Sequence, residues 1–325
     1  MTLNEFLAEW HNDNPRILVH TSGSTGKPKP LMVEKRRMLN SARITCDFLG
    51  LKPGDTALLC MPLDYIAGKM MVVRSLQRDL RLTSVRPSSH PLADETLPSF
   101  TFAAMVPMQV YNSLKVPQER ERLMRIRHLI IGGGAISDEL AQMIKPLPNA
   151  VWSTYGMTET LSHIALRRLN GPDASLWYTP FDGVGISLNA DGCLVIDAPE
   201  VCAEPLVTND IAQLRTDDRT GKTLFRIKGR KDNVVCSGGI KIQIEEVEET
   251  LRPHLSAPFM IVKKQDEMLG EKAILLTEST DLTHIEEICR NTLPKYWVPR
   301  EFLHIDHLPL TETGKPKRTL PFTPR

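Results

Sequence analysis

Hydroxyl side chains, glycines and lysines are concentrated in one short segment, residues 20–29, which reads HTSGSTGKPK. The apolar runs on either side, 17–19 and 30–33, are predicted to form short strands, so the segment is predicted to be a hairpin loop. Glycines let backbone N–H groups close around an anion, and lysines add positive charge. We therefore expect this loop to bind a polyphosphate through Thr21, Ser22, Gly23, Ser24, Thr25, Gly26 and Lys27.

A Walker A loop is the main alternative for a phosphate-binding segment of this composition. It needs a glycine at a fixed spacing before Gly-Lys-Ser or Gly-Lys-Thr. Here position 21 is Thr21 and Lys27 is followed by Pro28, so the segment does not fit that pattern. A polar hairpin that binds no ligand is the remaining alternative.

The overall composition is that of a globular protein of 325 residues, with 41% hydrophobic and 24% charged residues. The 40 basic and 39 acidic residues balance to a net charge of +1, without the basic excess typical of nucleic-acid binding. The first residues do not resemble a signal peptide, and no apolar run reaches the roughly 18 residues that span a bilayer. We therefore expect a cytoplasmic protein that binds neither nucleic acid nor a membrane.

Six cysteines are scattered along the chain without a Cys-x-x-Cys pair. This spacing argues against a zinc site or a disulfide framework and suits a reducing compartment. The thiols are therefore expected to be buried, and the composition predicts no particular oligomeric state.

The order of predicted elements indicates an α/β fold in two parts. Apolar, β-branched runs alternate with helical stretches through the first two thirds of the chain, and short strands joined by hairpin turns then predict a β-rich subdomain. In the last part, a helix is predicted in which Ile244, Val247 and Leu251 share one face. We expect a large N-terminal α/β domain over residues 1–230, including the β-rich subdomain, and a small, mobile C-terminal α+β domain over residues 231–325.

Two further clusters follow apolar strands and carry groups suited to a nucleotide. Gly133, Gly134 and Ala135 lack bulky side chains, so a flat ring can approach the backbone closely. The second cluster offers an aromatic face, a hydroxyl for phosphate and a carboxylate that can hold Mg²⁺, from Tyr155, Gly156, Thr158 and Glu159. The alternatives are a simple turn for the first cluster and a helix N-terminus capped by Thr158 for the second.

Two single residues extend this pattern towards the C-terminus. Asp210 ends a predicted strand, where a carboxylate can accept hydrogen bonds from both hydroxyls of a ribose. Lys315 follows Gly314 in a polar segment, so it is expected on a flexible loop. The alternatives are a tripeptide without function around Asp210 and a frayed basic tail around Lys315.

Taken in order, these motifs resemble those of the adenylate-forming superfamily, which includes acyl-CoA synthetases, the adenylation domains of peptide synthetases and luciferases. The resemblance covers nearly the whole chain. It implies an ATP site made of the 21–27 loop, the two clusters that follow strands, Asp210, Arg230 and Lys315. It also implies catalytic roles for Thr158, Glu159 and Lys315, a Mg²⁺ ion held by Glu159, and a hinge between the domains at Asp232.

The chain departs from the superfamily pattern in two places. Only 20 residues precede the phosphate loop, where the superfamily usually has a longer N-terminal lobe, and Asn209 stands where glycine is usual. A short chain with the sequence PLDYIAGK at 62–69 is most similar to the short bacterial o-succinylbenzoate–CoA ligases of menaquinone synthesis. That narrower resemblance implies that Tyr65 and Gly68 belong to the acyl pocket, with Tyr65 as a plain core residue the alternative.

The resemblance implies a reaction in two halves. A substrate carboxylate attacks the α-phosphorus of ATP and expels pyrophosphate, and the thiol of coenzyme A then attacks the acyl adenylate. The small domain is implied to turn about Asp232, which withdraws Lys315 and brings residues 237–239 (Ser237, Gly238 and Gly239) to the site for the pantetheine arm of coenzyme A. Because o-succinylbenzoate has a second carboxylate, its pocket should hold a cation or hydrogen-bond donors, for which position suggests Lys69, Ser162 and His163.

Two other kinds of function stay open on the sequence alone. The protein can be another acyl- or aryl-CoA ligase, or an adenylating enzyme that loads a carrier protein. It can also be a nucleotide-binding protein that has lost catalysis, although the presence of Lys315, Glu159 and Asp210 argues against that.

Removal of the implied adenylation lysine should separate the two halves of the reaction. We predict that Lys315→Ala abolishes acyl-adenylate formation, because the ammonium group no longer balances charge at the α-phosphate, and spares the conversion of supplied acyl adenylate to thioester. Pyrophosphate release and thioester formation are measured separately. An equal loss in both would refute the role given to Lys315.

Overall fold

The computed structural model describes residues 1–20, 30–134, 136–310 and 316–318. The chain divides into two compact units, each built from several segments. Unit one comprises Met1–Ser187, Val195–Leu206 and Leu214–Arg226, and unit two comprises Leu188–Leu194, Val207–Gln213 and Ile227–Arg325. The domain boundary expected after residue 230 stays a prediction.

The described residues form eight α-helices with ordinary end signals. For example, α2 ends at Gly50, whose φ of 64° is left-handed, and Asp281 caps α8 by accepting a hydrogen bond from His284 N at 3.0 Å. The helices are α1 (Leu3–His11), α2 (Lys35–Leu49), α3 (Ile66–Arg78), α4 (Pro107–Lys115), α5 (Pro117–Met124), α6 (Asp138–Ile144), α7 (Ile244–Leu251) and α8 (Leu282–Thr292).

A two-stranded hairpin flanks the segment predicted to bind phosphate. Strands β1 (Arg16–His20) and β2 (Pro30–Glu34) pair antiparallel, with His20 opposite Pro30. Their inward residues Ile17, Val19 and Val33 are buried, which is the alternating pattern of a strand with one covered face. The predicted strands on either side of residues 21–29 are therefore present.

A seven-stranded sheet forms the framework of unit one, in the order β4-β3-β5-β6-β7-β8-β9. The first five strands in this order pair in parallel, and β8 and β9 are antiparallel to their neighbours. Parallel neighbours have their carboxyl ends at the same edge, so the segments that follow β6 and β7 meet there. The strands are β3 (Thr56–Leu59), β4 (Arg81–Ser84), β5 (Phe102–Met105), β6 (His128–Ile131), β7 (Ala150–Gly156), β8 (His163–Arg168) and β9 (Thr179–Pro180).

Two further sheets follow along the chain. The first has the order β10-β11-β12-β13, with β10 (Gly185–Leu188), β11 (Cys193–Asp197), β12 (Leu206–Thr216) and β13 (Thr223–Arg230). The second has the order β15-β14-β17-β16, with β18 pairing in parallel with β17. Its strands are β14 (Val234–Ser237), β15 (Ile240–Gln243), β16 (Phe259–Asp266), β17 (Gly270–Thr277) and β18 (Glu301–His304).

Helices α7 and α8 cover the last sheet and close a separate core in unit two. That core includes Val247 and Leu251 of α7, Ile285 of α8, and Ile261 and Leu275 of the sheet, all buried. The expected α/β class, with a β-rich part followed by a small α+β part, is confirmed. Within the described ranges, every helix is too short or too polar to cross a lipid bilayer.

The β7–β8 turn is closely packed at Gly156. The register between the strands shifts at Tyr155 and Gly156, and a Cβ on Gly156 would lie 2.2 Å from Ser162 O and 2.4 Å from His163 Cα. Because both contacts are to main chain, the strands would have to separate to admit a methyl group.

We predict that Gly156→Ala lowers the free energy of unfolding by about 1–3 kcal/mol, the usual range for overpacking. The matched control is Gly185→Ala, where the nearest atom to an added Cβ is 3.4 Å away. Denaturant unfolding of both variants measures this, and equal stability of the two would contradict the close packing at Gly156.

Candidate functional site

The glycine cluster lies at the carboxyl edge of the seven-stranded sheet. Gly133 has a left-handed φ of 80°, and an added Cβ at Gly132 would lie 2.5 Å from Thr154 Oγ1. Gly132 therefore allows β6 to lie close against β7, and Gly133 turns the chain away from the sheet. Gly133 and Gly134 are thus at the end of β6, whereas Ala135 lies outside the described residues.

The second cluster begins at the end of the neighbouring strand β7. Tyr155 is half-buried, with its ring centroid 5.0 Å from that of Phe225 and 5.7 Å from that of Tyr178. Tyr178 in turn places its hydroxyl 2.9 Å from Ser153 Oγ. This aromatic cluster fixes the plane of Tyr155 at the edge where the glycine cluster also ends.

Thr158 and Glu159 follow in a single 3-10 turn, Thr158–Thr160. Thr160 Oγ1 holds the turn by accepting a hydrogen bond from Met157 N at 2.9 Å and lying 2.6 Å from Ser162 O. Met157, not Thr158, occupies the position before the turn, and the chain then enters β8. The segment is therefore a tight connection between strands, unlike the helix N-terminus that was the alternative.

The side chains of this turn differ in exposure. Thr158 is buried at 5% exposure, whereas Glu159 is exposed. No cluster of three or more His, Cys, Asp or Glu side chains suited to a metal ion occurs in the described part of the chain. A single exposed carboxylate fits Mg²⁺ that is held mainly by phosphate oxygens and water, since Mg²⁺ usually takes only one or two protein carboxylates in such sites.

Arg230 links two residues of unit two, Asp210, which is the candidate for ribose binding, and Asp232, which is the candidate for the hinge. Its Nη1 lies 3.4 Å from Asp210 Oδ1, and its Nη2 donates to Asp232 Oδ2 at 2.9 Å. Asn209 Nδ2 lies 3.4 Å from the same Asp232 oxygen. Burial opposes charge on Arg230, but the hydrogen bond to Asp232 and the charge of Asp210 outweigh it, so the pKa of Arg230 is raised.

The acyl-pocket candidates on α3 have different surroundings. Tyr65 precedes the helix and is 43% exposed, and an added Cβ at Gly68 would lie 2.3 Å from Pro62 O. Lys69 is 3% exposed, and its Nζ donates to Leu18 O at 2.7 Å. Burial lowers the pKa of Lys69. Its ammonium group is thus bonded to the main chain of β1.

Ser162 and His163 come together around a fully buried cation, Arg74 of α3. Arg74 Nη2 donates to Ser162 Oγ at 2.5 Å, and His163 Nδ1 lies 3.2 Å from the same hydroxyl. His163 Nε2 lies 3.1 Å from Thr45 Oγ1 of α2. The four side chains therefore form one connected polar network between two helices and the start of β8.

The charge of Arg74 is poorly compensated. Arg74 is 2% exposed, its Nε has no hydrogen-bond partner, and no carboxylate forms an ion pair with it among the residues that the structure describes. Burial lowers the pKa of Arg74 to about 10. Burial and the charge of Arg74 also hold the pKa of His163 well below its usual range, so His163 is neutral. A buried guanidinium with a free donor is an expected place for an anion.

Sequence reasoning missed Arg74, although a signal was available. Arg74 follows Met70, Met71, Val72 and Val73 in the middle of α3, so it is a charged residue inside an apolar run. Arginine is rarely fully buried unless it is paired, which makes such a position a candidate for ligand binding. The sequence had instead suggested Lys69, Ser162 and His163 as the polar groups of the pocket.

The segment proposed for coenzyme A is an exposed turn between β14 and β15. Gly238 and Gly239 have left-handed φ values of 56° and 83°, and Ser237 pairs with Ile240. Gly238 N donates to Leu269 O at 2.8 Å, which fixes one side of the turn. An added Cβ at Gly239 would meet no atom within 4 Å, so the backbone there is open to approach.

The remaining candidates fall in segments without a description. Lys315 and the phosphate-loop residues Thr21, Ser22, Gly23, Ser24, Thr25, Gly26 and Lys27 lie outside the described residues. Their neighbours are described: His20 pairs with Pro30, and Leu310 forms a bridge with Pro316. The roles of these residues therefore stay predictions.

Comparison with solved structures gives similar folds over nearly all of the chain. An acyl-CoA synthetase (AMP-forming)/AMP-acid ligase II-like protein from Dyadobacter fermentans is 33% identical, with a TM-score of 0.67 over 97% of this chain and 91% of that protein. The o-succinylbenzoate coenzyme A synthetase from Bacillus subtilis, in complex with ATP and magnesium ion, is 23% identical, with a TM-score of 0.73 over 93% of this chain and 68% of that one. At that identity the second likeness concerns the fold alone.

Comparison of sequences gives a family and named relatives. The 2-succinylbenzoate–CoA ligase of Bacillus mycoides is 25% identical over 94% of this chain and 69% of the relative. This chain therefore spans about two thirds of the length of that relative. The family model described as AMP-binding enzyme matches residues 4–203, which is more than half of the chain. With that match and the fold it shares with a 33% identical synthetase, this chain belongs to the family of AMP-binding enzymes.

Proposed function

We propose that this AMP-binding enzyme is an ATP-dependent carboxylate–CoA ligase that works through an acyl adenylate, and that its acid is o-succinylbenzoate. The single observation that carries the choice of a diacid is the buried, incompletely bonded guanidinium of Arg74. The relatives named 2-succinylbenzoate–CoA ligase support the same acid.

The edge formed by β6 and β7 is the proposed nucleotide site. Gly133 and Gly134 leave the main chain open to the adenine ring, and Tyr155 offers an aromatic face beside them. Glu159 would hold Mg²⁺, which supplies positive charge to the phosphate oxygens when bound. Asp210 is proposed to accept hydrogen bonds from the ribose hydroxyls, with Arg230 bonded to it.

The first half-reaction joins the acid to AMP. A carboxylate oxygen of the acid forms a bond to the α-phosphorus, and the bond to pyrophosphate breaks. Negative charge builds on the α-phosphate and on the leaving group, where Thr158, the 21–27 loop and Lys315 are proposed to supply donors and positive charge. No side-chain nucleophile is required, because positioning and electrostatics carry this kind of transfer.

The second half-reaction forms the thioester. The sulfur of coenzyme A, having lost its proton, attacks the acyl carbon, and AMP leaves with the bonding electrons. We propose residues 231–325 as a mobile domain that turns about Asp232 between the halves, with the turn at 237–239 admitting the pantetheine arm. The unhindered backbone at Gly239 supports that assignment.

The polar network around Arg74 supports the proposal of a diacid substrate. A monoacid would leave the Arg74 guanidinium buried without an anion, which is costly in a low-dielectric interior. A second carboxylate can accept from the free Nε and form a charge-assisted pair. Ser162, His163 and Thr45 already hold Arg74 in place, so the cation is preorganised for that anion.

Two measurements, pyrophosphate release and thioester formation, test both the type of reaction and the identity of the acid. Pyrophosphate release and thioester formation are followed with ATP, Mg²⁺ and coenzyme A over a panel of acids. We expect o-succinylbenzoate to give the highest kcat/KM. A monoacid ranked first would instead favour a general acyl-CoA ligase, and release of pyrophosphate without thioester would favour loading of a carrier protein. Nucleotide binding without any pyrophosphate release would favour a protein that has lost catalysis.

Substitution of the buried cation should remove selectivity for the diacid. We predict that Arg74→Met lowers kcat/KM for o-succinylbenzoate by roughly 100-fold, the usual cost of removing one partner of a buried charge pair. The same substitution should change little for 4-oxo-4-phenylbutanoate, which lacks one of the two carboxylates.

Arg78→Met is the matched control, since Arg78 is on the same helix and pairs with the half-exposed Asp47 at the surface. Its selectivity should equal that of the unsubstituted enzyme. Equal losses for both acids in Arg74→Met would contradict a carboxylate-binding role.

A further inference from the structure

Arg318, near the C-terminus, makes a largely buried, bidentate ion pair with Glu248 in unit two. Its Nη1 and Nη2 donate to Glu248 Oε1 and Oε2 at 2.5 and 2.7 Å, and Nη1 also donates to Ile261 O at 2.8 Å. Glu248 Oε1 in turn accepts from Ile261 N at 2.8 Å. Both side chains are largely buried, at 15% and 11% exposure. Arg318 is therefore bonded to helix α7 and strand β16 at once.

Arg318 lies three positions after Lys315, and the chain between them is also fixed. Pro316 forms a bridge with Leu310, and Lys317 N donates to Pro309 O at 2.8 Å. On the other side, Leu308 N donates to Glu278 Oε1 at 2.9 Å. The segment 311–315 is thus bounded at both ends by residues anchored within unit two.

Stability alone is a weak reason for such an ion pair. Two buried charges lose hydration, and an apolar pair of similar size is often as stable. A bidentate guanidinium–carboxylate pair instead fixes direction as well as distance, because two parallel hydrogen bonds admit one relative orientation. Such a fixed orientation is useful where a segment of chain must hold a catalytic side chain at one position relative to the substrate.

We propose that Arg318, held by Glu248 and Ile261, is a positioning residue that fixes the chain behind Lys315 so that the lysine can act in adenylation. This inference rests on the proposed function, in which Lys315 serves the first half-reaction only. Arg318 itself does not touch the substrates in this proposal. Its contribution is to hold the residues that directly follow Lys315 against α7 and β16.

The proposal predicts a loss confined to one half-reaction. We expect Arg318→Met to reduce acyl-adenylate formation by roughly 100-fold, the scale on which small misplacements of a reacting group act, while supplied acyl adenylate is still converted to thioester at the original rate. Arg318→Lys keeps the charge but loses the bidentate geometry, so its rate of acyl-adenylate formation should fall between those of Arg318→Met and the unsubstituted enzyme. Intact thioester formation also shows that the variant is folded.

Arg290→Met is the matched control, because Arg290 pairs with Glu286 on the exposed face of α8 in the same unit. It should leave both half-reactions unchanged. Unchanged adenylation in a folded Arg318→Met would overturn the proposal, as would equal loss in both half-reactions. If Arg318→Met does not fold, the same comparison on Arg318→Lys decides between these outcomes.

A double substitution separates this proposal from the one it rests on. Because Lys315→Ala is expected to abolish adenylation, the double variant is compared in the thioester half-reaction. If Arg318 acts only through Lys315, Arg318→Met together with Lys315→Ala should convert supplied acyl adenylate to thioester at the rate of each single variant. A further loss there would mean that Arg318 acts independently, which contradicts the positioning role. Full adenylation by Lys315→Ala alone would instead overturn the role of Lys315 in the proposed function.

Discussion

The parallel pairing of β6 with β7 is the constraint on which the proposed nucleotide site depends. Leu129 lies opposite Val151 and Ile131 opposite Ser153, so the two strands reach the same edge of the sheet together. Polar groups at that edge come from segments that are distant in sequence but adjacent in space. The glycine at the end of each strand is required by close contact, since a side chain at Gly132 or Gly156 would collide with the neighbouring strand.

A second constraint acts inside unit one, where burial of Arg74 costs free energy unless an anion is bound. The network of Ser162, His163 and Thr45 supplies neutral hydrogen-bonding partners, which orient the guanidinium without neutralising it. The low pKa of His163 keeps a second positive charge away from Arg74. In the proposed function, this uncompensated charge favours an acid that carries one more carboxylate than adenylation consumes.

The sequence predicted where helices and strands lie better than it predicted which charged side chains are buried and what they contact. The helix predicted from Ile244, Val247 and Leu251 is α7 with those residues buried, because its apolar period leaves one way to cover the sheet. Apolar runs likewise predicted the strands on either side of the segment expected to bind phosphate, and the alternation of strands and helices in the first two thirds of the chain. The hydrogen bond between Arg74 and Ser162 was not predictable in this way, because the two residues are 88 positions apart in the sequence.

The contacts of Lys69 and Arg318 were likewise not predictable from the sequence, because their partners are distant along the chain. The position of Lys69 beside a predicted pocket suggested a ligand contact, but its bond to Leu18 O joins residues 51 positions apart. The partner of Arg318 is 70 positions away. The polar segment around Lys315, predicted to be a flexible loop with a frayed basic tail as the alternative, therefore gave no sign of a buried ion pair. In each case the long-range packing of helices on sheets determines the environment of the charge, and local spacing does not encode it.

Acid-dependent exchange of labelled pyrophosphate into ATP, with Mg²⁺ and without coenzyme A, tests the central claim most directly. Exchange requires that the acid form an enzyme-bound acyl adenylate reversibly, with pyrophosphate as the leaving group. The account predicts exchange with o-succinylbenzoate and none without an acid. Cleavage of ATP to ADP and phosphate, or the absence of exchange with every carboxylic acid, would contradict it.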